Sequence, residues 1–163
     1  MIHISIATAA DAAEILALQH LAYESEARLY NDWSIEPMVQ TLESLIAEIQ
    51  VATVLKATDG VAIVGSVRAT LAEEICLIGR LMVAPDHQGQ GIGTALLGAI
   101  EEMFPQARAF ELFTGSRSEG NIRLYVRCGY AVIGTRPASD AITLTVLRKP
   151  PAQMQRSIVA GSP

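Results

Sequence analysis

From Gln88 to Thr94 the chain reads Gln-Gly-Gln-Gly-Ile-Gly-Thr, with a glycine at every second position. Glycine lets a backbone approach a ligand closely, and the first N–H groups of a helix have no carbonyl one turn back. A glycine turn that opens a helix is therefore an anion site. The flanks supply that setting. Leu81-Met82-Val83 reads as the end of an apolar strand, and Thr94-Ala95-Leu96-Leu97 as the start of a helix. Between them Ala84-Pro85-Asp86-His87 breaks the strand, because proline has no N–H to give to a ladder. A P-loop would need lysine and Ser/Thr at the end of the turn, and no lysine lies nearby. A dinucleotide fingerprint counted from Gly89 or Gly91 ends on Thr94 or Leu96 instead of glycine, and fails as well.

The pattern that fits is Q/R-x-x-G-x-G/A, carried by Gln88, Gly91 and Gly93 directly after a V-x-P strand end. In this the stretch resembles the acetyl-CoA signature of the GNAT superfamily of N-acetyltransferases. A second stretch, Ser116 to Tyr130, is similar to the block that closes such domains: Leu124-Tyr125, three residues, then Gly129-Tyr130. Ser118 is placed to cap its helix, Ile122 and Val126 lie four apart on one face, and Gly129 is a left-handed stop.

The resemblance implies acetyl-CoA as cosubstrate. The amides of Gln88, Gly89, Gln90, Gly91, Ile92, Gly93 and Thr94 would hold its pyrophosphate, and the strand edge Leu81, Met82 and Val83 its pantetheine arm. By the same resemblance Tyr125 is the general acid that protonates the departing thiolate, and Asn121 contacts the coenzyme. Here the asparagine stands four residues before the tyrosine, whereas many members place it seven before.

The implied reaction is direct transfer of the acetyl group to a primary amine, with a small molecule as the acceptor. The alternatives are a protein N-terminus or lysine as acceptor, or a regulatory acyl-CoA-binding module without turnover. The amine must lose a proton, attack the thioester carbonyl and expel a thiolate. The Val83 amide, by resemblance, polarises that carbonyl as a preorganised donor would. The family often takes the amine proton with a glutamate on the fourth strand. Here Glu73 and Glu74 stand at that strand's start, and Cys76, Gly79 and Arg80 offer no evident base. Tyr23, Tyr30 and Trp33 with Glu24, Glu26 and Asp32 gather where the first two helices meet. They could form an aromatic and acidic cradle for an ammonium group, or the partly exposed end of an amphipathic helix.

These residues need elements to position them. Ile2–Ile6 alternates as a strand, and Thr8 with Asp11 forms a capping box before a helix carrying Ile15, Leu18 and Ala22 to about Tyr30. Pro37 lies near the start of a second helix with Val39, Leu42, Leu45, Ile46 and Ile49. Strands follow at Val51–Lys56, Val61–Leu71 and Ile75–Val83, with turns at Thr58-Asp59-Gly60 and Ala72-Glu73-Glu74. The helix opened by the glycines runs to about Met103, ahead of Pro105, and Ala109–Thr114 is again a strand. Ala131–Thr135 and Ala141–Leu147 read as a closing hairpin around Arg136–Asp140. The order is that of an α+β chain in which a helical crossover implies one parallel strand pair. The GNAT resemblance adds a mixed, mostly antiparallel sheet of about seven strands with about four helices, splayed between strands 4 and 5. It covers residues 1–149 and leaves 150–163 as a tail.

The 163 residues suffice for a full core, and their net charge of −5 offers no basic block to displace phosphate counterions, so nucleic acid is not the expected partner. An acidic surface suits cationic amines. Cys76 and Cys128 give neither a disulfide framework nor a metal spacing and read as free thiols, and His3, His20 and His87 lack paired ligands, so no metal is expected. Met82 and Met103 read as core packing. No apolar run approaches the roughly 18 residues of a membrane span, and no leader pattern opens the sequence. The chain reads as cytoplasmic, and its closing hairpin at a sheet edge invites a homodimer.

Overall fold

The computed structural model describes residues 1–151. Seven strands, β1 (His3–Ile6), β2 (Thr53–Thr58), β3 (Ile63–Ala72), β4 (Ile75–Val83), β5 (Ala109–Gly115), β6 (Ala131–Pro137) and β7 (Thr143–Lys149), form one mixed sheet in the order β1-β2-β3-β4-β5-β7-β6. Among the described residues the helices are α1 (Ala12–Tyr30), α2 (Glu36–Val39), α3 (Leu42–Val51), α4 (Ile92–Glu102) and α5 (Glu119–Arg127). The crossover through α4 makes β4 and β5 parallel, paired from Ile75 opposite Ala109 to Leu77 opposite Glu111. The chain divides into two compact units, Met1–Thr70 with Gly79–Glu102, and Leu71–Ile78 with Met103 onward.

In the first unit the Thr8–Asp11 box forms, the Asp11 carboxylate accepting from the Thr8 N–H at 2.9 Å. α1 buries Ile15 and Leu18 and ends on Asn31, whose left-handed backbone (φ 50°) closes the last turn. The second expected helix is divided. Gln40 leaves helical geometry (ψ 133°), so α2 stops at Val39 and α3 starts afresh, with the Thr41 hydroxyl accepting from the Ser44 N–H at 3.1 Å. That break leaves Val39 and Leu42 exposed while Leu45 is fully buried. Val51, expected to open β2, instead closes α3. The β2–β3 turn follows from its residues: Asp59 accepts from the N–H groups of Val61 and Ala62 at 3.0 and 2.8 Å, and Gly60 takes φ 97°. The core of this unit joins Val54, Leu55 and Val67 of the sheet to Leu96, Leu97 and Ile100 of α4.

One strand–helix approach in this unit is unusually close. A Cβ placed on Gly65 of β3 would lie 2.9 Å from Leu96 Cδ1, 3.1 Å from Ile92 Cγ2 and 3.2 Å from the Met82 carbonyl oxygen. The missing side chain is what lets α4 lie there.

In the second unit Glu73 and Glu74 make a two-residue turn with φ 49° and 74°, the signature of a tight hairpin that glycine and asparagine form at lower cost. Phe110, Leu112, Tyr125, Tyr130 and Leu147 are buried. Met103, expected in the core, is 41% exposed, as α4 ends just before it. The closing hairpin extends further than its pattern suggested. β6 includes Arg136 and Pro137, every one of its residues is exposed, and its register against β7 slips between Val132 and Gly134. The tail expected at 150–163 lies almost wholly outside the described residues.

Candidate active site

The glycine stretch is a strand-to-helix turn in the first unit. β4 ends at Val83, the Ala84 N–H is held by the Val64 carbonyl at 2.8 Å, and Pro85–His87 form one 3-10 turn. His87 is tethered at both ring nitrogens: Nδ1 lies 2.8 Å from Asp86 and Nε2 3.5 Å from Asp59. The His87 hydrogen bond holds the Asp86 carboxyl below its ordinary range, and the backbone donors Ala62 and Val61 do the same for Asp59. Gln88 reaches back with Nε2 3.4 Å from the Val83 carbonyl.

Beyond it Gly89 and Gly91 are left-handed, with φ 77° and 83°, and a Cβ on either would meet nothing within 4 Å. Backbone is thus presented with open space against it. No acidic side chain lies between Gln88 and Thr94. α4 begins at Ile92, buried together with Leu96, so its first N–H groups open onto the turn from a fixed helix. An open backbone cradle, a helix start and no local carboxylate fit a pyrophosphate.

The same unit carries a buried polar group that pattern reading did not find. Arg68, 8% exposed in the middle of β3, pairs with Glu48 of α3 and donates to Gln19 Oε1 at 2.7 Å. Gln19, fully buried in α1, donates in turn to the Pro37 carbonyl at 2.9 Å and to Gln40 Oε1 at 3.0 Å. Burial, and then the charge of Arg80, push the Arg68 guanidinium down to about 10, against the opposing pull of Tyr23 and Glu36. The Tyr23 phenol is raised by burial despite both arginines.

Arg80 differs from Arg68. It sits in β4 with a left-handed backbone (φ 52°), a costly conformation for a residue with a side chain. Its Nε is buried without a hydrogen bond, and its nearest acid is Glu36, 3.6 Å from Nη2 and 80% exposed. A charged residue inside an apolar strand was the available signal for both arginines. The aromatic and acidic residues nearby are otherwise engaged: Glu24 faces Arg28, Asp32 accepts from Ser34, and Arg28 lies over the Trp33 ring.

In the second unit the Leu-Tyr-x-x-x-Gly-Tyr block has a direct physical meaning. Gly129, at φ 97°, donates its N–H to the Val126 carbonyl at 3.1 Å, and Tyr130 donates to the Tyr125 carbonyl at 3.0 Å. These are the two bonds of a Schellman stop, and the apolar contact that accompanies such a stop is the Tyr125–Tyr130 pair, with ring centroids 6.2 Å apart. Tyr125 is thereby fixed at the backbone and buried at the ring. α5 does not bury the expected Ile122–Val126 face, because Val126 is 52% exposed. Asn121 donates to Thr114 Oγ1 at 3.2 Å. Glu74 pairs with Arg108 at 3.1 Å beside the β3–β4 turn.

Among the described residues no group of acids, histidines or cysteines could hold a metal ion, no helix is long and apolar enough to cross a membrane, and Cys76 and Cys128 are free thiols.

The model of the GNAT acetyltransferase family matches residues 15–130 of the chain. The chain belongs to that family, a family of acyltransferases. Its fold recurs in the ribosomal-protein-S18-alanine N-acetyltransferase of Escherichia coli, 16% identical over 92% of this chain and 94% of that one, with a TM-score of 0.75. It recurs in the PaiA N-acetyltransferase of Thermoplasma acidophilum, solved with coenzyme A, at 15% identity over 92% and 99% and a TM-score of 0.76. YncA of Salmonella typhimurium, solved with acetyl-CoA, is 18% identical over 91% and 93%, with a TM-score of 0.73. No curated protein sequence matches at a significant level.

Proposed function

We propose that the chain is an acetyl-CoA-dependent N-acetyltransferase that transfers acetyl directly to a primary amine of a small molecule. The observation that carries this is the open left-handed turn at Gly89 and Gly91, opening a buried helix in a member of this family. Gln88–Thr94 receive the pyrophosphate, the β4 edge Leu81–Val83 runs along the pantetheine arm, and Asn121 adds a coenzyme contact. The amine nitrogen attacks the thioester carbonyl carbon, the oxygen gathers charge near the Val83 amide, and the carbon–sulfur bond breaks. The thiolate takes its proton from Tyr125. The amine proton passes to solvent: Glu73 and Glu74 form a strained turn, with Glu74 already paired to Arg108.

The test is calorimetric titration with acetyl-CoA beside thiol release over a panel of amines. Binding with amine-dependent release is the expected result, and no binding refutes the proposal. Tyr125→Phe should lower kcat by about 10²–10⁴-fold while coenzyme still binds. A non-catalytic binding module would show no release to lose.

A further inference from the structure

Two arginines of the first unit, Arg68 buried and Arg80 half-buried, are unequally served. Arg68 has a carboxylate in Glu48 and an amide in Gln19, and its charge is answered within the protein. Arg80 has neither. The edge of a guanidinium that receives a carboxylate side-on is the one carrying Nε and Nη2, two parallel donors. On Arg80 that edge is poorly matched: Nε is buried without a hydrogen bond, and Nη2 pairs with Glu36 at 3.6 Å, longer than a hydrogen bond. Glu36 is a weak occupant. It lies on α2, a single turn of four residues with non-helical backbone at Ile35 and Gln40, and four-fifths of its side chain faces solvent. The Arg80 side chain retains 17% exposure, so it can be reached once Glu36 swings aside.

Location adds to this. Arg80 immediately precedes Leu81–Val83, so at about 3.3 Å per residue its backbone lies roughly 3–10 Å along the strand from the positions assigned to the thioester arm. A small amino compound is of that length. The strained φ of 52° is kept at the strand position where this loosely paired cation stands next to that edge.

We propose that Arg80 receives a carboxylate of the acceptor, so that the substrate is an amino acid or a related amine bearing a carboxylate, which displaces Glu36 and closes on the Nε–Nη2 edge. This rests on the transferase reading above. In place of a cradle for a bare ammonium group, one of the two readings of the region where the first helices meet, it is a site that orients the acceptor by its acid end.

The experiment titrates the CoA-loaded protein with glycine, β-alanine and γ-aminobutyrate, each beside its carboxamide. The acid form of the best ligand should bind at least about tenfold more tightly than its amide, as a charge-assisted pair requires. That ratio should collapse to within about twofold in Arg80→Gln and partly return in Arg80→Lys. Glu36→Gln should strengthen acid binding without helping the amide, an effect that a purely structural Arg80–Glu36 contact would not give. Circular dichroism checks each variant, and if Arg80→Gln does not fold, the wild-type ratio and Glu36→Gln decide. Equal binding of acid and amide, a preference surviving in Arg80→Gln, or Glu36→Gln weakening both forms would overturn the assignment. Failure to bind acetyl-CoA would remove the transferase reading instead, and is read in a separate titration.

Discussion

Gly65→Ala adds one methyl where β3 passes under α4. Its neighbours would be Leu96 Cδ1 at 2.9 Å, Ile92 Cγ2 at 3.1 Å and the Met82 carbonyl oxygen at 3.2 Å. Leu96 and Ile92 are 0% and 3% exposed, so neither side chain can turn outward, and the third neighbour is backbone. Overpacking of this kind costs about 1–3 kcal/mol. Gly65 is not left-handed, so alanine also recovers about 0.4–1 kcal/mol by narrowing the unfolded ensemble. The net loss is up to about 2.6 kcal/mol, or up to roughly 10 °C in Tm at this chain length. Strain relieved by lifting the first turn of α4 tilts the helix start that faces the glycine turn, so coenzyme affinity should fall with stability. Gly98→Ala is the matched control. It lies within α4, its Cβ would meet nothing within 4 Å, and it should stabilise by up to about 1 kcal/mol. Thermal melts and acetyl-CoA titrations of both variants are the assay. A Gly65→Ala protein as stable as its parent, or one that binds coenzyme equally well, would show that this contact does not seat the helix.

Alanine at Gly89 or Gly91 meets no atom but must hold φ near 80°, so each should cost about 1–2 kcal/mol and weaken coenzyme binding, measured by denaturant unfolding and calorimetry. Asp11 is pushed up by burial but pulled lower still by hydrogen bonds from Lys56 and Thr8, so its carboxyl titrates below 3.8 in the folded chain. Its contribution is complete above that pH and lost as pH falls through the lowered folded value. Asp11→Asn should cost roughly 1 kcal/mol at neutral pH and flatten that part of the acid limb in urea melts. Replacing Glu73-Glu74 with Asn-Gly should raise Tm, since both positions are left-handed, and an unchanged or lower Tm would show the glutamates matter for another reason.

Local signals reached the elements that local chemistry decides. The Thr8–Asp11 box, the Asp59-Gly60 turn, the glycine turn into α4 and the Gly129 stop all depend on residues within five of one another, and each forms as its pattern implies. What stayed hidden depends on distant partners or on backbone strain. Gln19 and Arg68 meet across 49 residues, and no window along the chain contains both. Arg80 adopts a left-handed backbone without being glycine, asparagine or aspartate, so its type gives no warning. The break at Gln40 was masked by an apolar pattern that runs on through it, from Val39 to Leu42. The exposure of Val126 and Met103 was hidden for a related reason: periodicity says which residues share a face, not whether that face is covered.

Among the described residues β6 is an edge strand, which bears on how the protein behaves when concentrated. A seven-residue strand with both faces open and Val132 and Ile133 more than half exposed is a template on which another chain's strand could lengthen the sheet without limit. The slip between Val132 and Gly134 interrupts the regular row of donors and acceptors, and Pro137 removes one donor at the strand's end. Arg136, its guanidinium 4.6 Å from the centre of the Phe113 ring, adds a charge to the same stretch. A strand built this way can still meet a partner that fits its irregular spacing, but it resists growth by repetition. The features that make β6 an imperfect strand are those that keep a sheet edge from seeding a fibre.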